Sequence, residues 1–157
     1  MEIKENIYHD YLLVKKMKAD ISTKSIILKD IISKWEDFWK IIGITKNALK
    51  VFSDNDFKKK RKNVAWVGSN INRAHIKQDR IVTNTYLLTN DLSFDEFWDY
   101  LIENDKTILA TSTENKTNTF SEIIPIDPLM NLFKKGDSHG IGWKHNKSEI
   151  NFLKSIS

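Results

Sequence analysis

Near residue 64 the apolar period of the chain changes, and that change limits the folds open to it. Over residues 3–20, Ile3, Ile7, Tyr11, Val14 and Met17 recur at spacings of three and four, one apolar stripe of a helix. Over residues 25–42, Leu28, Ile31, Ile32, Trp35, Phe38, Trp39 and Ile42 keep that period. Gly43 reads as the stop, because glycine enters a left-handed C-cap without penalty. TKNALKVF (45–52) predicts a short third helix, and Ser53-Asp54 a cap for a charged segment running to Lys62.

Beyond residue 64 the pattern is mixed. VAWVG (64–68) reads as a short strand, SNIN (69–72) as a turn-rich link, and RIVTNTYLL (80–88) as an alternating strand. Ser93-Phe94-Asp95-Glu96 is a capping box, in which hydroxyl and carboxylate satisfy each other's orphan backbone donors. It opens a helix with Phe94, Phe97, Trp98, Leu101 and Ile102 on one face, expected to cover a sheet. KTILATST (106–113) and TFSEIIPI (119–126) predict a hairpin around an ENKTN turn. Asp127-Pro128 starts a short helix that ends near Gly136, and residues 147–155 form a last one.

Helices first, then strands mixed with helices, predict an α+β fold. The expected architecture is a set of N-terminal helices, with a helix-turn-helix among them, then a small, mainly antiparallel sheet with packed helices. Residues 1–63 form the helical, basic region and residues 64–157 the α+β region of one compact unit. The 157 residues suffice for a core, and 40% hydrophobic content excludes a disordered chain. The absence of Cys excludes disulfides, thiolate metal sites and a Cys nucleophile. No apolar run reaches the roughly 18 residues of a membrane span. The opening MEIKENIYHDYLL lacks the separate apolar core of a signal peptide. The expectation is a cytoplasmic protein without a membrane segment.

Charge points to partners. Residues 1–80 carry 18 Lys and Arg against 10 Asp and Glu, whereas residues 81–157 carry 7 against 11. The excess is concentrated in residues 40–80, with 11 basic and 3 acidic side chains, while residues 91–105 hold six acids and no base. Such a split suits a face for a polyanion and another for water or a partner.

Residues 35–52, WEDFWKIIGITKNALKVF, have the outline of a helix-turn-helix. Its second helix would expose Thr45, Lys46, Asn47 and Lys50, types that pair with base edges and phosphates. Trp39 stands where the first helix usually carries a small residue. The run Lys58-Lys59-Lys60-Arg61-Lys62, extended by Arg73, Lys77 and Arg80, supplies a positive field for phosphates, with Trp66 placed to stack on a base. Glu114-Asn115-Lys116 after a hydrophobic strand matches three residues of the PD-(D/E)xK nuclease pattern, with Asp95, Asp99 or Asp105 as the second acid. GDSHGIGWKH (136–145) offers two glycines with Ser138, His139, Lys144 and His145, a loop that could nest an anion. Asp95, Glu96, Asp99 and Glu103 make an acidic stripe suited to a basic protein partner.

No catalytic or metal-binding constellation is complete, and no cofactor is implied. The leading expectation is a nucleic-acid-binding protein, DNA rather than RNA, acting as a regulator or accessory factor, for instance of a mobile element. Its contacts are Thr45, Lys46, Asn47, Lys50, Lys58, Lys59, Lys60, Arg61, Lys62, Arg73 and Lys77. The alternatives are a protein-interaction module that antagonises a nucleic-acid enzyme through the acidic helix 94–104, and a small metal-dependent nuclease.

Overall fold

The computed structural model describes residues 2–57, 71–134 and 146–157. The fold is α+β: helices lead the chain, and a four-stranded mixed sheet follows. The elements run α1 (Glu2–Lys16), α2 (Ile21–Ile32), β1 (Ile41–Thr45), α3 (Lys46–Asp54), β2 (Ile71–His75), α4 (Arg80–Thr89) and α5 (Phe94–Asn104). After these come β3 (Thr107–Thr111), α6 (Ser112–Thr117), β4 (Ile123–Pro125), a 3-10 turn (Pro128–Met130) and α7 (Lys147–Ile156). Two units result, one of Met1–Phe38 with His75–Lys106 and one of Trp39–Ala74 with Thr107–Ser157. The boundary expected at residue 63 lies outside the described residues.

The first unit packs α1, α2, α4 and α5. Tyr11 is fully buried; its ring lies 4.5 Å from that of Phe97, and its hydroxyl donates to the Leu87 carbonyl at 2.7 Å. That burial raises the phenol pKa, with Tyr8 and Asp91 adding to the effect. Trp35 meets Trp98 edge to face at 5.2 Å. The capping box at Ser93 and Glu96 forms as expected, and within its unit α5 packs on helices α1 and α4.

RIVTNTYLL is helix α4, not a strand. Its buried positions are Arg80, Thr83, Asn84, Leu87 and Leu88, a helical spacing in which three of the five residues are polar. The β-branched Ile81 and Val82, which suggested alternation, face outward at 70% and 49% exposure. Asp79 fixes the start by accepting from the Val82 N–H at 3.0 Å. Asn84 ties α4 to α2, donating to the Ser25 carbonyl at 3.0 Å.

The predicted helix 25–42 stops at Ile32. Trp35, Phe38 and Trp39 are buried as their spacing requires, but in a turn that places Trp39 at φ 57°. The chain then enters β1, so the first helix of the expected helix-turn-helix is replaced by a turn and a strand. Gly43 is therefore no helix stop. It lies in mid-strand, where a Cβ would come 2.7 Å from Ile123 Cγ2 and 3.1 Å from the Ile124 carbonyl oxygen. Gly43→Ala is expected to cost about 1–3 kcal/mol through overpacking, read as a lower urea midpoint at unchanged slope.

The second unit builds its core from Ile41, Ile44, Ala48, Leu49, Phe52, Ile71, Leu109, Ile126, Phe133 and Leu153. The sheet order is β2-β3-β1-β4. Central β1 pairs in parallel with β3 (Ile44 opposite Leu109) and antiparallel with β4 (Gly43 opposite Pro125). The hairpin expected over 106–126 does not form, because the ENKTN stretch is mostly helix α6 and β4 crosses to β1. The sheet is accordingly mixed rather than mainly antiparallel. The SNIN link is partly strand, Ile71 and Asn72 belonging to β2. Ser53 and Asp54 lie within the last turn of α3. The expected strand 64–68, Trp66 and the loop 136–145 lie outside the described residues.

Candidate nucleic-acid interface

Two parallel neighbours, β1 and β3, end on threonines that cap the helices following them. Thr45 accepts from the Ala48 N–H at 3.1 Å to start α3, and Thr111 accepts from the Glu114 N–H at 3.2 Å to start α6. From there the chain leaves in opposite directions: β1 leads to β2, beyond β3, and β3 leads to β4, beyond β1. In open sheets with parallel strands, such a reversal leaves a crevice at the carboxyl ends of the strands. An open groove of about 480 Å³ lies there, walled by α3 on one side and by Thr111, Ser112 and Thr113 on the other.

Glu114 locks the base of this arrangement. The residue is 5% exposed, and each carboxylate oxygen accepts one backbone N–H: Thr111 on Oε2 at 2.9 Å and Ser121 on Oε1 at 2.9 Å. The Thr45 hydroxyl (2.7 Å), the Ser121 hydroxyl (2.6 Å) and the Asn47 amide (3.1 Å) complete the set. Burial works to raise the Glu114 pKa, but the donors of Ser121, Thr111 and Thr45 prevail and hold it near 2. The glutamate of the nuclease-like triplet thus has both oxygens engaged by protein donors and serves as the capping carboxylate of α6. Asp95 and Asp99 sit on α5 of the other unit, and Asp105 pairs with Arg80. Among the described residues no three His, Asp or Glu gather in a metal-holding group.

The expected contact residues do not share one setting. Lys46, Asn47 and Lys50 are exposed on α3. Lys46 pairs with Glu122, and Lys50 with Asp54 at 2.6 Å. All four side chains of these pairs are more than half exposed, and such pairs contribute about 0–1 kcal/mol, so a phosphate can replace either acid at little cost. Thr45, by contrast, is fully buried and spends its hydroxyl on Glu114. Arg73 turns inward, donating to the carbonyls of Trp39 (3.0 Å) and Phe133. Burial lowers its pKa to about 10, with Glu149 opposing. Lys77, in the first unit, pairs with Glu103. Lys58, Lys59, Lys60, Arg61 and Lys62 lie outside the described residues.

The acidic stripe of α5 is exposed as expected, but two of its members have other tasks. Glu96 closes the capping box, and Glu103 is held near pKa 2 by hydrogen bonds from Lys77 and Lys106.

The groove was not legible as a site in the sequence, since its walls come from segments about sixty residues apart. The Glu114 lock did have a signal: Thr111-Ser112-Thr113-Glu114 is a capping box directly after a hydrophobic strand. No protein family, curated protein or solved structure matches this chain. Among the described residues no helix is long and apolar enough to cross a membrane.

Proposed function

We propose that this protein binds nucleic acid, using the exposed face of α3 together with the basic run that follows it. One observation carries the reading. Lys46, Asn47 and Lys50 share the solvent face of a helix whose chain continues, within four residues of its last residue Asp54, into Lys58-Lys59-Lys60-Arg61-Lys62. Seven cations along one stretch of chain suit a row of phosphates, and the acids beside Lys46 and Lys50 are weakly held. The inward Thr45 and Arg73 are not part of this face.

Such binding is driven by counterion release and depends steeply on salt. Affinity for a labelled oligonucleotide is expected to fall by about a thousandfold between about 50 and 200 mM salt if most of the seven cations contact phosphate. Replacing Lys58–Lys62 by serine should reduce the slope of log K against log salt by about 3.5–4.5, near 0.7 on a single strand and 0.9 on a duplex for each phosphate no longer neutralised. An affinity indifferent to salt, or a slope unmoved by the five substitutions, overturns the reading.

A further inference from the structure

We infer that the groove between α3 and the start of α6 receives an unpaired nucleoside, so that the partner is single-stranded rather than duplex nucleic acid. The inference rests on the nucleic-acid reading above and concerns how α3 engages that partner. Without the helix that should precede it, α3 lacks the frame that sets a recognition helix into a major groove, because residues 41–45 are strand β1. The Asn47 amide, the group best suited to an adenine edge, is committed to Glu114 at 3.1 Å. What α3 does present is one wall of a groove: Lys50, Val51 and Asp54, facing Ser112 and Thr113.

The chemistry of that groove selects its occupant. Among the described residues the lining carries one cation, Lys50, and one anion, Asp54, paired at 2.6 Å in the free protein. The amino end of α3 is met by Glu114 through Thr45 and Asn47, so the groove offers no concentrated positive pole for a phosphate. The Thr113 hydroxyl and the Lys50–Asp54 pair around the apolar Val51 suit instead a neutral, flat and polar group: the hydrogen-bonding edge of a base, with its sugar. The volume of about 480 Å³ lies within the range of small-ligand sites. In a duplex those edges are already paired and stacked, whereas a single strand can splay one base out. Its phosphates then meet Lys46 and the basic run that follows α3 in the chain.

The test compares one labelled oligonucleotide as a single strand and as a blunt duplex, at equal salt, with the wild type, Thr113→Tyr and Thr113→Ser. Thr113 is exposed on the groove wall, and tyrosine there fills the space. A single-strand preference of about tenfold (about 1.4 kcal/mol), lost in Thr113→Tyr and kept in Thr113→Ser, is the expected result. Equal, salt-sensitive binding of both forms, or a preference that survives Thr113→Tyr, overturns the groove while leaving the basic face standing. Binding of neither form removes the basic face and the groove with it. As a second measurement that needs no variant, a nucleoside monophosphate should shift the amide resonances of Val51, Ser112 and Thr113 in the wild type; unmoved resonances overturn the assignment.

Discussion

Asp105→Ala is expected to destabilise the protein by about 3–5 kcal/mol, the range for removing one partner of a buried ion pair. Asp105 caps the end of α5 at 3% exposure, and its carboxylate pairs with the guanidinium of Arg80, the first residue of α4. The other face of that guanidinium lies 4.7 Å from the ring centre of Phe38, and its Nε and Nη1 find no acceptor among the described residues. Burial already lowers the Arg80 pKa to about 9, a sign of how poorly the charge is solvated. Without Asp105 the cation keeps only an aromatic face, which returns about 0.5–2 kcal/mol. A double variant, Arg80→Met with Asp105→Leu, should recover most of the loss, because apolar replacement of a buried pair is often neutral. Urea unfolding followed by circular dichroism measures both. A loss below about 1 kcal/mol for Asp105→Ala would show that the pair holds little.

The same cluster sets a pH response. His75 lies 3.6 Å from Asp105, and burial, with the Arg80 charge adding and Asp79 opposing, lowers its pKa to about 4. A base whose folded pKa lies below its ordinary 6.5 takes up its proton first in the unfolded chain. Stability should therefore fall as pH drops from about 6.5 to about 4, and His75→Gln should flatten that part of the profile.

Neither feature was visible in residue order, and the reason is physical. Sequence patterns report burial through apolar side chains. Where α4 buries Arg80, Thr83 and Asn84, the helical stripe is written in polar letters and the outward Ile81 and Val82 imitate a strand. In residues 35–39 the opposite occurred: the aromatics are buried at the expected positions, but burial does not specify a helix, and Trp39 turns the chain. Local capping chemistry was more dependable. Ser93 with Glu96 fixed the start of α5 because both partners lie within one turn, whereas Asp127 with Pro128 opens only the 3-10 turn Pro128–Met130 and not the helix expected to run to Gly136, since Asn131 turns left-handed at φ 52°. Sheet order was beyond reach. β4 was expected beside β3, its predecessor, yet it pairs with β1, about eighty residues earlier, where Gly43 permits the close approach. The candidate interface divides in the same way. The exposure of Lys46, Asn47 and Lys50 follows from the period of α3, whereas the inward course of Arg73 depends on the carbonyls of Trp39 and Phe133.

Glu114→Gln should cost about 3 kcal/mol at pH 7, although it removes no atom larger than an oxygen and leaves the backbone of α6 intact. The argument lies in donor counting. One carboxylate oxygen accepts the Thr111 N–H and the other the Ser121 N–H, and neither backbone group can turn away. An amide places its NH₂ against one of them in either orientation, leaving a donor facing a donor in a buried site. The hydroxyls of Thr45 and Ser121 can rotate, but they then lose a charged acceptor, worth about 1.5–3 kcal/mol for such bonds. The pH dependence gives a signature that simple misfolding lacks. A carboxyl held near 2 in the fold, against an ordinary 4.5, supplies stability above pH 4.5 that is lost as pH falls through 2. The gap between wild type and Glu114→Gln should thus be full at pH 7 and narrow steadily below 4.5. A constant gap from pH 7 to 2 would mean that the glutamine acts by its shape, not by its missing charge. Because Glu114 joins Thr45 at the head of α3 to Ser121, the variant should also weaken nucleic-acid binding, in step with the loss of folded protein. Binding lost while the chain remains folded would instead assign Glu114 a direct part in the interface.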